Sequence, residues 1–319
     1  MAKRFVRALS RTVDNAVLLT LLVILIVATF GFWDTWQVYA AADVSNYEQY
    51  KPAKDDTMGF EELRAMNPDV MGWITIYDTG IDYPMVHPTK DNDEYMSRNP
   101  QREFSSPGSI FLDIKSAADF SDFNTIIFGH HMSEHKMFGD IDLFLEGSFF
   151  DSHQYGNLYY DGKNHGLEIV GISEIAAGDP VIYQAGIKMD MNDAKKAYLE
   201  KLYTKSRHWR DASNVSTNDH IVILSTCSAD ITNGRFVLVC RVLDHEVENP
   251  FPDEVKTTDA RIDVINTLNR IFLLPIKWWI LILIGAIILI YLLYSFSRHG
   301  DKKRFEKKRM KEEENGEER

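Results

Sequence analysis

Acyl transfer through cysteine needs three kinds of side chain: a nucleophilic thiol, an imidazole to move protons and a cation to meet developing negative charge. This chain carries one of each beside strand-like runs. Cys227 closes Ile223-Leu224-Ser225-Thr226-Cys227, and His130 follows Ile126-Ile127-Phe128-Gly129. Arg235 opens Arg235-Phe236-Val237-Leu238-Val239. Arg235 lies eight residues after Cys227, a spacing that suits two antiparallel strands joined by a loop. That arrangement returns the guanidinium to the side of the thiol. Gly129 and the strand end expose His130. The second cysteine, Cys240, sits inside Val237-Leu238-Val239-Cys240-Arg241-Val242, where a lone cysteine serves as a small buried apolar residue. A Cys227–Cys240 disulfide is the competing reading of an even cysteine count outside the cytosol.

Short strands separated by turn residues dominate the pattern, as in a β-barrel or sandwich. Expected strands are Gly72–Ile76, Gly80–Val86, Gly108–Asp113, Asn124–Phe128, Leu158–Tyr160, Leu167–Ile175, Val181–Tyr183, His220–Leu224 and Arg235–Val242. Pro84 predicts an edge position for the second of these, because proline cannot donate to a ladder. Helices are expected over Phe60–Met66, ending at Asn67-Pro68, and from Met191 to about His208. The second has an apolar stripe of Ala194, Ala197, Tyr198, Leu202 and Tyr203. A short helix near Val44–Tyr50 interrupts an otherwise irregular stretch.

Two charge-free apolar runs, Ala16–Trp33 and Trp278–Phe296, flank this region, and each approaches the roughly 20 residues that cross a bilayer as a helix. Lys and Arg crowd the outer flanks of both, which predicts two spans with both termini cytoplasmic and the middle extracellular. A cleaved signal peptide is the alternative for the first run. The predicted organisation is a cytoplasmic tail (1–12), a transmembrane helix (13–33), a stalk (34–59), a catalytic domain (60–245), a linker (246–275), a second transmembrane helix (276–296) and a charged cytoplasmic tail (297–319). The formal net charge is −12; the first twelve residues contribute +4 and residues 297–319 contribute +2, leaving −18 between them. So acidic a middle argues against nucleic-acid binding.

In order and spacing, Phe128-Gly129-His130, Leu224-Ser225-Thr226-Cys227 and Arg235 resemble the sortases, the cysteine transpeptidases of Gram-positive cell walls. The finer resemblance is to class B. It is carried by Gly72-Trp73-Ile74, Ile81-Asp82-Tyr83-Pro84, Asp91 to Met96, Gly108 to Asp113, Gly129 to Met132 and Met137-Phe138-Gly139-Asp140. It covers residues 60–243. It implies a mainly β fold: a closed sortase-like β-barrel with N-terminal helices and one long helix before the cysteine strand. It also implies a thioester on Cys227, His130 as acid and base, Arg235 as oxyanion partner, and a peptide groove lined by Asn92, Met96, Ser225 and Thr226. The implied substrates are secreted proteins with a C-terminal sorting signal cleaved after Thr. The implied acceptor is an amine of a peptidoglycan precursor or, as the alternative, a pilin lysine. No cofactor or metal is implied. The second span resembles pilin-polymerising class C enzymes, but residues 34–60 lack the Asp-Pro-aromatic triplet of their lids. Ser228 stands where some class B members carry an acidic residue.

Two further readings come from other classes. His130, His131 and His135 suggest a metal site, although no His-Glu-x-x-His motif accompanies them. A membrane receptor with a silent β-barrel ectodomain is the other.

Overall fold

The computed structural model describes residues 2–53, 56–227, 234–251, 285 and 287, and at Cys227 the description is of the backbone. The strands are β1 (Val70–Ile76), β2 (Asp82–Val86), β3 (Ile110–Leu112), β4 (Asn124–Phe128), β5 (His131–Met132), β6 (Lys136–Met137), β7 (Tyr155–Tyr160), β8 (Lys163–Ala176), β9 (Ser206–Trp209), β10 (His220–Cys227) and β11 (Gly234–Val242). The α-helices are α1 (Ala2–Ala41), α2 (Met58–Met66), α3 (Gly147–Ser152) and α4 (Asn192–Lys205).

Eight strands close on themselves in the order β11-β10-β4-β3-β2-β1-β7-β8, with β8 pairing back to β11. Closure removes the sheet edges that would otherwise need protection. β9 hangs on β8 outside the ring, and β5–β6 form a separate two-stranded hairpin. The larger core draws on every barrel strand, among them Trp73, Met85, Ile110, Ile127, Leu158, Ile169, Leu224 and Leu238.

Strand alternation explains the second core. On β10, Val222 and Leu224 enter the larger core while Ile221 and Ile223 join the other; on β11, Leu238 and Cys240 part in the same way from Val237 and Val239. The second set is covered by Tyr198 and Leu202 of α4. Both strands are therefore apolar on both faces and read as continuous runs. Burying each such aliphatic side chain is worth roughly 1.5–3 kcal/mol.

The sequence expectations were close at most strands and departed at five places. β2 is interior to the barrel, paired with both β1 and β3. Pro84 is tolerated because the β3 ladder engages only Met85 and Val86. Val181–Tyr183 is a turn. The Asp179 carboxylate accepts from the backbone N–H of Val181 and Ile182, while Ile182 still buries its side chain. The long helix stops at Lys205, and Ser206–Trp209 pairs with β8 instead of extending it. Tyr203 is 55% exposed and lies off the buried stripe, where Lys195 takes a place instead, its ammonium on the Met189 carbonyl. Finally, the segment from Asp34, expected to be irregular, is helical to Ala41. It is followed by two 3-10 turns, Val44–Asn46 and Glu48–Tyr50, with Ala42, Tyr47 and Tyr50 buried in the larger core.

Leu9–Ala41 of α1 is a helix long and apolar enough to cross a membrane, with mean hydropathy 2.6. The second apolar run and the charged tail lie outside the described residues, apart from Gly285 and Ile287.

Candidate active site

Strand pairing brings three distant segments together. β10 runs parallel to β4, with Ser225 opposite Phe128. Two residues further along each chain are Cys227 and His130. On its other flank β10 runs antiparallel to β11, and there Cys227 is the direct register partner of Arg235. The cysteine strand thus lies between the strand that leads to the histidine and the strand that carries the arginine.

A groove of about 180 Å3 opens at this end of the barrel, lined by Asn92, Met96, Phe111, Phe128, Gly129, His130, Ser225, Thr226 and Arg235. Six of the seven site residues expected from sequence therefore share one cavity, and the backbone of the seventh, Cys227, is paired with Arg235. Phe111 and Phe128 fell within the strands and family segments read from sequence but were not expected to line the site. They face each other across β3 and β4 with ring centroids 5.5 Å apart. The available signal was the place of Phe128 next to Gly129-His130, but alternation alone does not say which residues a groove will expose.

Each polar side chain has a definable state. His130 Nε2 lies 3.0 Å from the Met96 carbonyl oxygen. A carbonyl only accepts, so Nε2 carries the hydrogen and Nδ1 is the basic nitrogen of the neutral ring. Gly129 permits this approach: a Cβ there would meet Ile110 Cδ1 at 2.5 Å and the Phe138 ring at 2.7 Å. Ser225 is buried and shares a hydrogen bond of 2.9 Å with the Tyr183 hydroxyl, whose ring stacks on Phe128. Thr226 is buried, and its hydroxyl has no hydrogen-bond partner within the described residues. The Asn92 amide is largely engaged, donating to Asp113 at 2.8 Å and accepting from Ile114 N–H at 2.8 Å. Met96 is 44% exposed at the mouth. Arg235 is half-buried and donates weakly to the Gly234 carbonyl at 3.4 Å.

The other cysteine is excluded from such chemistry. Cys240 is free and fully buried, and burial, with the Glu168 charge adding to it, pushes its thiol far above the ordinary range. The neighbouring histidines are committed elsewhere: His131 Nε2 to Asp142 at 2.9 Å and His135 Nδ1 to Asp140 at 2.7 Å.

No protein-family model matches the chain. Sortase B of Listeria monocytogenes is 34% identical over 179 residues, which cover 56% of this chain and 71% of that protein. The chain belongs to the class B sortases. Among solved structures, the sortase B from the type II pilus of Streptococcus pneumoniae is 44% identical with a TM-score of 0.50, covering 58% of this chain and 99% of that one. A Streptococcus pyogenes class B sortase involved in pilus biogenesis is 31% identical with a TM-score of 0.53, covering 58% and 98%. The closed barrel is the sortase B fold, and the chain is a sortase transpeptidase of the cysteine type.

Proposed function

We propose that this sortase cleaves a C-terminal sorting signal after Thr and transfers the protein to an amino acceptor. His130 takes the Cys227 thiol proton, and the resulting thiolate adds to the Thr carbonyl carbon. His130 protonates the departing amine as the C–N bond breaks, leaving a thioester. The incoming amine loses a proton to His130 as it attacks, and the thiolate leaves. Arg235 steadies the oxyanion in both halves. Asn92, Met96, Ser225 and Thr226 line the path of the peptide. The observation that carries this reading is the groove itself, which gathers His130, Arg235 and these four residues beside the Cys227 backbone. Its largely apolar lining suits a peptide chain. The test is a peptide library of sorting signals offered to the enzyme, with mass spectrometry of the Cys227 tryptic peptide. A thioester that stops at Thr supports the reading; cleavage with no adduct on Cys227 refutes it.

Arg235→Lys is expected to lose most activity although the charge stays. A guanidinium presents a planar array of donors that an ammonium cannot copy, and a lost oxyanion donor costs about 10²–10³ in kcat. Steady-state kinetics on a sorting peptide checks this, and near-normal turnover would reduce Arg235 to a general electrostatic part.

The acceptor has two readings. Wall anchoring uses an amine of a peptidoglycan precursor. Pilus polymerisation uses a pilin lysine, and it is favoured by the two pilus-associated sortases among the similar structures. Offering both amines in competition after thioester formation separates them.

For the chain in its membrane, the proposal is two spans, residues 13–33 and 276–296. The termini (1–12 and 297–319) are cytoplasmic, while the segment at 34–59, the catalytic domain at 60–245 and the linker at 246–275 are extracellular. The apolar character of α1 and the basic flanks of both runs support it. Protease added to protoplasts is expected to remove the middle and spare tags at both ends; loss of the C-terminal tag refutes the second span.

A further inference from the structure

His130 leads directly into the β5–β6 hairpin, and its carbonyl accepts from Phe138 N–H at 3.0 Å where the hairpin returns. The hairpin is therefore closed on the histidine from both ends. Its backbone is strained. Glu134, His135 and Met137 all have positive φ, at 59°, 56° and 53°, and none is glycine. Such conformations persist only where surrounding contacts hold them.

The contacts that hold this hairpin come from outside it. Met137 is buried, and its N–H donates to the Tyr83 hydroxyl at 3.0 Å. The same hydroxyl donates to the Ala42 carbonyl at 2.8 Å. Lys136 Nζ pairs with Asp43 Oδ2 at 2.5 Å, with both side chains largely shielded. His135 meets Asp140, whose other oxygen accepts from Gly80 N–H at 2.7 Å. A Cβ on Gly80 would meet the His135 carbonyl oxygen at 1.9 Å, so the hairpin tip rests directly on the backbone between β1 and β2. Tyr83 lies on β2, a barrel strand with no residue in the groove, and Asp43 lies in the segment that leads out of α1.

We propose that Tyr83 and Asp43 are positioning residues for His130, seating the hairpin that carries the imidazole and tying it to the segment that follows α1. The proposal rests on the reading of His130 as the acid and base of the transfer. It gives residues 42 and 43, at the end of the N-terminal helix, a part in the chemistry. Neither Tyr83 nor Asp43 touches substrate. Each acts by fixing where the imidazole stands, so its loss should fall on the proton-transfer step more than on peptide capture, for which the groove walls on β3, β4 and β10 remain.

The test uses the full-length chain in detergent with a sorting peptide and an amine acceptor. Tyr83→Phe keeps the ring packed on Tyr47 and deletes both hydrogen bonds. The expected result is a fall in kcat of about tenfold or more, because small misplacements of a reacting group are costly, with KM within about twofold of wild type. The pH–rate profile should shift with it. Asp43→Asn, which keeps the side chain's size and removes its charge, should move the same two readouts in the same direction. The exchanged pair Asp43→Lys with Lys136→Asp should recover kcat relative to either single change. Ser213→Ala, which removes a buried hydrogen bond to Glu168 on another part of the barrel, is the stability control. Unchanged kcat and pH profile in Asp43→Asn, or a Tyr83→Phe loss no greater than that of Ser213→Ala at equal loss of Tm, overturns the proposal. His130→Ala is run alongside: an active His130→Ala overturns the underlying catalytic reading instead. If Tyr83→Phe does not fold, Asp43→Asn and the exchanged pair decide.

Discussion

Cys227→Ala should show no detectable cleavage or transfer and should form no thioester, while unfolding at close to the wild-type temperature. The reaction as proposed passes through a covalent bond to sulfur, and no other described side chain can replace it. The remaining thiol, Cys240, is fully buried and held protonated by burial. The fold has little stake in the change. The register of β10 with β11 and β4 is set by backbone hydrogen bonds and by the buried Ile221, Val222, Ile223 and Leu224. The loss should therefore be at least the 10⁴-fold typical of deleting a covalent nucleophile, with stability altered by less than about 1 kcal/mol. Product formation followed by chromatography, with thermal unfolding of the same samples, checks both halves. Turnover like that of wild type would end the assignment. A thiol-directed peptidyl electrophile gives a second readout: it should label Cys227 and leave Cys240 untouched.

His130→Ala should be nearly inactive, and His131→Ala should keep substantial activity. The two imidazoles are adjacent in sequence but answer to different surroundings. His130 lines the groove and is oriented by the Met96 carbonyl. His131 is bound to Asp142 and lies against the Phe236 ring with centroids 6.1 Å apart. General acid–base catalysis is worth about 10²–10⁴-fold, which sets the expected loss for His130. Loss of the partly exposed His131–Asp142 contact should cost under about 1 kcal/mol of stability. Parallel kinetics on the two variants settle the ranking; the reverse order would mean that the wrong member of the pair has been assigned.

Much of this site was legible in the chain because it lies at strand ends. His130 after Phe128-Gly129 and Cys227 after Ser225-Thr226 follow runs of buried apolar residues, so each marks the end of a barrel strand. The eight-residue step from Cys227 to Arg235 matched an antiparallel return, and the register pairs those two residues directly. The family resemblance supplied the roles, and six of the seven residues it implied line one groove. The misreadings share one cause. Pro84 looked like an edge residue because a local pattern does not reveal that a strand's second neighbour engages only two residues. Val181–Tyr183 has strand-forming side chains, yet the Asp179 carboxylate takes the N–H groups that a ladder would have used.

What the sequence determined by itself, then, was which residues alternate, where chains turn, and which side chains could do chemistry: properties fixed within a few residues. Only the tertiary structure decided who the neighbours are. The parallel pairing of β10 with β4 joins residues about a hundred positions apart and brings the His130 and Cys227 strands side by side. The strained hairpin after His130 is held by Tyr83, Asp43 and Asp140, from three separate segments. Local pattern reports the face a side chain presents; long-range pairing depends on closure of the whole barrel, and no window of sequence contains that.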